Sequence, residues 1–265
     1  MTKQTLHVNG RKIVTVGGLW HNGAMSYWFI KVVFYLLGIF GLSKNADKIY
    51  WNIIHRFRAT SKSSPLALER AFQKAKKFNT ISNGDYYEFG VFKGYSLWWI
   101  QQLAKKYGAK RMRFFGFDSF RGLPQIKDKD DMGEFYEGQF ACSKKQVVKN
   151  ITDHGGSLEN IILIEGFFSE TLKEGLKRQH NMRKVAIAYI DCDLYESAKD
   201  VLTFIKNLLE KNSIVIFDDW NSFGGNKNRG ERLALTEFTK KNPQIKFRKI
   251  FSYGWHGLAF VVEKA

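Results

Sequence analysis

From residue 85 onward, short apolar runs alternate with amphipathic stretches. Asp85–Phe89, Met112–Phe117, Ile161–Ile164, Val185–Ile190 and Ser213–Phe217 read as strands, each followed by a turn or an acidic residue. Leu97–Tyr107, Lys144–His154, Ser169–Gln179, Ser197–Glu210 and Gly230–Lys241 carry helical patterns between and after them. This alternation predicts an α/β fold with a parallel sheet. The end of the chain breaks the rhythm. Phe247–Ser252, a Gly254–Gly257 turn and Leu258–Glu263 predict an antiparallel hairpin at the sheet edge, for a mostly parallel sheet of seven strands. No internal repeat or low-complexity tract interrupts the pattern.

The first 80 residues follow a different pattern. Thr5–Val8 and Arg11–Val16 flank Asn9-Gly10, a pair that favours the type I′ turn of a hairpin. Gly17, Gly18 and Gly23 then loosen the chain. Tyr27–Leu42 is strongly apolar but broken by Lys31, and its uninterrupted part, Val32–Leu42, is too short to span a bilayer as a helix. It lies too deep for a signal peptide and has no small-residue cleavage site. Two readings stay open: a buried helix, or a helix on a membrane surface supported by Lys44, Lys48, Arg56, Arg58 and Lys62. Pro65 suits the first turn of a helix running to about Phe78. The chain is therefore divided near residue 80. Residues 1–80 form a mainly helical extension that covers an acceptor site, a second subunit or a membrane surface. Residues 81–265 form the α/β domain.

Composition narrows the class. At 44% hydrophobic and 15% aromatic residues the chain can bury a large core, which excludes disorder for most of it. A mean hydropathy of −0.32 and 25% charged residues exclude a membrane-embedded bundle. Two cysteines, Cys142 and Cys192, exclude a disulfide scaffold and a four-cysteine zinc site, and suit a reducing cytoplasm. Forty-two Lys and Arg against 25 Asp and Glu give +17, which favours anionic partners. The plain alternative is a lysine-rich, solvated surface.

The informative acids stand at strand ends, which form the ligand crevice of open α/β sheets. The first strand ends in Glu88-Phe89-Gly90-Val91-Phe92-Lys93-Gly94-Tyr95-Ser96. Its two glycines let the backbone approach a ligand at a helix N-terminus. The spacing is neither a dinucleotide fingerprint nor a phosphate-cradling loop. Glu88 would repel a pyrophosphate and attract an ammonium group, which points to a cofactor bearing an amino acid. The second strand ends in Phe117-Asp118-Ser119, where a carboxylate can accept bonds from ribose hydroxyls. The plain alternative for Asp118 is a helix N-cap. Glu88 and Asp118 together suit S-adenosylmethionine. Asp191 and Asp193 follow the fourth strand, and Asp218 and Asp219 follow the fifth. Like charges this close need a cation, and oxygen-only ligands suit Mg²⁺ or another hard divalent ion. Helix capping by Asp193 and Asp219 is the alternative.

Five segments occur in order: Glu-Phe-Gly-Val-x-x-Gly-x-Ser (88–96), Phe-Asp-Ser-Phe-x-Gly-Leu-Pro (117–124), Glu-Gly-Phe-Phe-Ser-Glu-Thr-Leu (165–172), Ile-Asp-x-Asp-Leu-Tyr-Glu-Ser (190–197) and Asp-Asp-Trp (218–220). Over about residues 84–240 the chain resembles the macrocin O-methyltransferase (TylF/MycF/NovP) family. The resemblance implies a Rossmann-like class I methyltransferase fold and metal-dependent methylation of a sugar hydroxyl. It implies that Glu88, Gly90, Gly94, Ser96, Asp118 and Ser119 surround S-adenosylmethionine, and that Asp191, Asp218 and Asp219 hold Mg²⁺ or another divalent cation.

A sugar hydroxyl is a weak nucleophile, and coordination to the cation would lower its pKa. Asp191 is the first choice for the base, since the family pattern places it beside the metal, and Asp193 is the second. Of the six histidines, His256 in the last turn is the candidate to lie over the crevice, and a surface turn side chain is the ordinary expectation against it. The expected partners are a sugar or glycan acceptor, anionic or lipid-linked, and a second copy of the chain. The expected location is cytoplasmic, with contact at the inner membrane surface left open. A catechol-type methyltransferase is an alternative. A nucleic-acid methyltransferase is disfavoured by the absence of a Pro-Pro-Tyr/Phe loop and of a Pro-Cys nucleophile, and by a crevice lined with carboxylates.

Overall fold

The computed structural model describes residues 4–8, 11–15, 50, 51, 55, 57–127, 129–131 and 133–265. The chain forms two compact units, Met1–Arg56 and Phe57–Ala265. In the first, β1 (Gln4–Val8) and β2 (Arg11–Thr15) pair antiparallel, with Val8 opposite Arg11, as the Asn-Gly signal predicts. The apolar stretch Tyr27–Leu42 and the basic residues Lys44, Lys48 and Arg56 lie outside the described residues. No helix among the described residues is long and apolar enough to cross a membrane.

The second unit is built on a seven-stranded sheet. Its strands are β3 (Asp85–Phe89), β4 (Phe114–Asp118), β5 (Ile161–Glu165), β6 (Val185–Ile190), β7 (Ile214–Phe217), β8 (Lys246–Tyr253) and β9 (Gly257–Lys264). The order is β5-β4-β3-β6-β7-β9-β8. The first five in that order run parallel, β9 runs antiparallel to β7, and β8 pairs antiparallel with β9 at the edge. This is the Rossmann-like class I arrangement expected from the sequence.

Helices cover both faces, so the central strands β3, β6 and β7 are buried throughout. On one face, Ala67, Leu68 and Phe72 of α1 (Ser63–Lys77) and Leu97 and Ile100 of α2 (Tyr95–Tyr107) pack on Tyr86 and Phe114. The same apolar cluster takes in Val147 and Ile151 of α3 (Lys144–Asp153). On the other face, Tyr87 stacks on Phe115 at 5.3 Å and Phe89 on Phe117 at 4.7 Å. These cross-strand pairs lock the β3–β4 register. Below them pack α6 (Tyr195–Ile205) and α7 (Gly230–Lys241). At the amino end of β3, the fully buried Asp85 accepts hydrogen bonds from the guanidinium groups of Arg113 and Arg183.

Two elements depart from the periodicity. The strand expected from Met112 begins at Phe114, because the Met112 amide bonds back to Ala109 in a turn. The single helix expected over 169–179 is two short ones, α4 (Phe168–Thr171) and α5 (Glu174–Gln179). They part at Lys173, whose backbone is extended and whose amide bonds Thr171.

Candidate active site

The chain runs β3 to β4 to β5 on one side of the sheet and continues with β6 and β7 on the other. The switch point thus lies between β3 and β6, where α/β sheets open their ligand crevice. Glu88 and Gly90 stand on one side of it and Asp191 on the other. The two strand ends are stitched by the Asp191 amide on the Phe89 carbonyl at 2.9 Å.

Glu88 is fully buried on the face shared with Tyr86. Its carboxylate accepts the Tyr86 hydroxyl at 2.6 Å and the Ser96 hydroxyl at 2.7 Å. Ser96 reaches it because Gly94, at φ +86°, turns the chain into the first turn of α2. Burial pushes Glu88 up to about 8, against the lowering effect of its two hydroxyl partners. Asp118 Oδ2 accepts the amides of Val91 (2.7 Å) and Phe92 (3.0 Å), and Oδ1 accepts that of Phe120 (2.6 Å). It therefore clamps the glycine loop after β3 to the end of β4. Burial raises its pKa while these backbone donors oppose the shift. The Ser119 hydroxyl is turned into its own loop, donating to the Gly122 carbonyl at 2.7 Å and accepting from the Arg121 amide at 3.0 Å. A cleft beside the loop is lined by Arg58, Ser64, Val91, Ser96, Tyr189 and Asp191.

At the ends of β6 and β7 the carboxylates crowd. Asp218 is the best supported: its Oδ1 accepts Tyr189 (2.6 Å), Tyr253 (2.7 Å) and Ser64 (3.3 Å). His256 Nδ1 lies 2.7 Å from the Asp218 carbonyl and 3.4 Å from Oδ2. Burial alone would raise Asp218, but the bond to and charge of His256, with the two tyrosine hydroxyls, hold it below the usual range. Burial disfavours the His256 cation, yet Asp218 outweighs it and raises the imidazole to about 9. The expectation of a surface histidine is thus corrected. His256 is 6% exposed, because β9 pairs antiparallel with β7 and brings His256, unlike the exposed Trp255 beside it, against the Asp218 carbonyl.

Asp219 Oδ2 accepts the Asp193 amide at 3.2 Å, and its own amide donates to Glu231 Oε2 at 3.0 Å. Burial first, then Asp218, push Asp219 up to about 7. Burial and then the neighbouring carboxylates push Asp191, Asp193 and Glu231 well up. Glu231 Oε1 is buried and has no hydrogen-bond partner among the described residues. An oxygen-only set of mutually repelling carboxylates with an orphaned oxygen is chemistry that a hard divalent cation would satisfy. Among the described residues, no group of three His, Cys, Asp or Glu side chains stands ready to hold a metal ion.

These shifts set the pH dependence of the unliganded protein. A carboxyl raised by folding stabilises the fold below its unfolded value and loses that contribution as pH climbs through the folded one. Glu88, from 4.5 to about 8, and Asp219, from 3.8 to about 7, lose theirs on the way to pH 8. His256, raised from 6.5 to about 9, loses its own over the next step. All three run the same way. The melting temperature of the unliganded protein should therefore fall between pH 6 and pH 9, and a rise would contradict this electrostatic picture.

Four residues that the sequence analysis passed over belong to this site. Tyr189 is the one hydroxyl in the apolar strand VAIAYI, a signal that was there to use. Ser64 and Tyr253 come from distant elements that only folding brings to Asp218. Glu231 stands in the first turn of α7, an ordinary place for a helix acid, and carries no signal of its own in the sequence.

The family model for macrocin O-methyltransferase (TylF) matches residues 67–246. The chain belongs to the macrocin O-methyltransferase family. A 4'-O-methyltransferase of a rhamnosyl-tetracenomycin C from Streptomyces olivaceus is 27% identical over 143 residues, 52% of this chain and 53% of the relative. Mycinamicin III 3''-O-methyltransferase from Micromonospora griseorubida is 25% identical over 145 residues, 52% and 55% of the two chains. This member of the family thus spans about half the length of the curated relatives it matches. Among solved structures, the calicheamicin methyltransferase CalS11 superposes with a TM-score of 0.64 at 23% identity, covering 93% of this chain and 98% of that one. The O-methyltransferase NovP gives 0.63 at 22% identity over 74% and 78%. Both share the fold seen here.

Proposed function

We propose that the protein transfers the methyl group of S-adenosylmethionine to a hydroxyl of a sugar or glycan, with a divalent cation, Mg²⁺ or another, at the acceptor side. One observation carries the reading. A fully buried carboxylate with only neutral donors, Glu88, faces four crowded carboxylates across the β3/β6 switch point. The first lacks a positive partner, which the ammonium of the cofactor would provide. Of the others, Asp218 has the His256 imidazole as its partner, and a cation would provide one for Asp191, Asp193 and Asp219. The relatives are O-methyltransferases by name, which supports the same class.

In this reading Glu88 takes the ammonium, oriented by Ser96, and Gly90 and Gly94 let the backbone lie against the cofactor. Asp118 holds that loop and turns its remaining acceptor capacity to the ribose. Ser119 keeps the adjoining turn. Asp191, Asp218 and Asp219 would hold the cation, with Asp218 kept charged and fixed by His256, Tyr189 and Tyr253. When bound, the cation would lower the pKa of the acceptor hydroxyl. Asp191, with Asp193 beside it, is placed to receive the hydroxyl proton as the acceptor oxygen displaces the methyl group directly. With the cation bound, coordination would lower the pKa of Asp191 and weaken it as a base, so the metal would carry much of the activation. The positive charge of +17 supports an anionic acceptor.

A thermal-shift series with S-adenosylmethionine and a labelling assay on host glycans test this together. Cofactor at a hundred times its Kd should stabilise the fold by about 2.7 kcal/mol. That corresponds to roughly 5–10 °C for a chain of this size. Excess EDTA should abolish methyl transfer and Mg²⁺ should restore it. No thermal shift would refute the cofactor, and undiminished turnover in chelator would refute the cation.

A further inference from the structure

We propose that the groove between α1 and the β8–β9 turn is a second glycan subsite, in which Trp255 stacks on a pyranose ring and Arg70 takes a carboxylate or phosphate group carried by the acceptor. The inference rests on the reading above that the acceptor is a glycan, and it adds the chemistry of the part that does not react. Ser63, Leu66, Arg70 and Gln73 of α1 fall three or four residues apart, so one face of the helix forms one wall. Ser252, Tyr253 and Gly254 form the other, around a groove of about 400 Å³, within the range of ligand sites. The next face of α1, with Ser64 and Leu68, lines the cleft beside the cofactor loop. The helix thus starts between the two cavities, and a ligand lying across Ser63 and Ser64 would enter both.

The turn is held from two sides. Gly254 has φ +54°, and a Cβ there would stand 2.6 Å from Ser63 Oγ, so the turn lies hard against the start of α1. From the segment after β7, the Asn221 amide donates to the His256 carbonyl at 2.9 Å and Asn221 Nδ2 to the Trp255 carbonyl at 2.8 Å. On this pinned turn Trp255 is 56% exposed. An indole held in water contributes no burial to the fold. Its negative face instead suits the C–H bonds on the apolar side of a pyranose ring. Arg70 supplies the second contact. Its guanidinium lies 4.2 Å over the Phe251 ring, which fixes its plane. It has no hydrogen-bond or ion-pair partner among the described residues. The adjoining carboxylate, Glu69, is already taken by Lys106 at 2.8 Å and the Tyr107 hydroxyl at 3.1 Å. A stacked, unpaired guanidinium presents a planar fork that fits a carboxylate or phosphate with two parallel bonds.

Saturation-transfer NMR on the full chain tests the groove with methyl β-glucuronide, glucose 1-phosphate and methyl β-glucoside. The two anionic sugars should bind more tightly than the neutral one, and the tighter of them tells carboxylate from phosphate. Arg70→Gln should weaken the preferred anionic sugar about tenfold and leave the neutral one within about twofold. Arg70→Lys keeps the charge but loses the fork and the stacking, so it should fall between the two. Trp255→Ala should weaken all three sugars. Arg70 and Trp255 are both exposed, so each variant should keep the wild-type melting temperature and S-adenosylmethionine affinity. Wild-type protein that binds none of the sugars, or variants that bind them as wild type does, would overturn the proposal. In the glycan labelling assay the same variants should raise KM and leave kcat nearly intact. Wild-type protein that labels no glycan would refute the glycan reading itself. Intact turnover with wild-type KM in both Arg70→Gln and Trp255→Ala would overturn the subsite alone.

Discussion

Asp191→Asn should lower kcat by about 10²–10⁴-fold, the range for loss of a positioned general base. The substitution is nearly isosteric, and the main chain at 191 is held independently by its amide on Phe89. The change therefore isolates the carboxylate. Removing one of several buried like charges should leave the unliganded fold at least as stable, since its neighbours Asp218, Asp219, Asp193 and Glu231 all raise it. Asp193→Asn is the companion. Asp193 sits at φ +61°, a left-handed conformation that asparagine tolerates as well as aspartate. If Asp191 carries both roles, Asp191→Asn loses Mn²⁺ binding and turnover together, while Asp193→Asn keeps the metal. Turnover lost in Asp193→Asn with Mn²⁺ retained would move the base to Asp193. Steady-state kinetics showing both variants within tenfold of wild type would remove these aspartates from the chemistry.

Gly90→Ala should be the most damaging single methyl group in the cofactor loop. Gly90 has φ +95°, and a Cβ there would stand 1.8 Å from the Asp191 carbonyl oxygen. The obstacle is backbone, in the strand beside it, and cannot swing away. Strain at such a φ costs about 1–3 kcal/mol and overpacking about the same again. A loss of about 3 kcal/mol or more corresponds to roughly 6–12 °C in melting temperature. Moving the loop also pulls Val91 and Phe92 off Asp118, so S-adenosylmethionine affinity should collapse with stability. Gly108→Ala is the control: φ is +75° there, but no atom lies within 4 Å of the added carbon. It should cost about 1 kcal/mol and leave cofactor affinity intact. Calorimetry finding wild-type affinity in Gly90→Ala would show that the loop does not contact the cofactor.

The strand runs were legible because parallel strands buried on both faces are apolar along most of their length, as in Val185–Ile190. The acids after them were legible because strand ends in such sheets face the crevice. The split of Phe168–Thr171 from Glu174–Gln179 was not, since both halves keep helical spacing and only the extended Lys173 separates them. Asp118 showed the limit of a residue-by-residue reading. Its position suggested a ligand to ribose or a helix cap, and the structure shows three backbone amides on its carboxylate, two of them from the β3 loop. Partners far away in sequence have no local signature.

The sequence by itself determined the alternation of strands and helices, the antiparallel last hairpin, and the five ordered segments that mark the macrocin O-methyltransferase family. Period and motif are local properties, and local order along the chain is enough to encode them. Only the tertiary structure decided what each acid is bonded to. Asp218 became a buried ion-paired strut because α1, β6, β8 and the turn after it deliver Ser64, Tyr189, Tyr253 and His256 to it from 29 to 154 residues away. Glu231 accepts the Asp219 amide because the start of α7 comes to the end of β7. Charge states in a crevice are set by burial and by neighbours across the fold, and neither exists until the chain has packed.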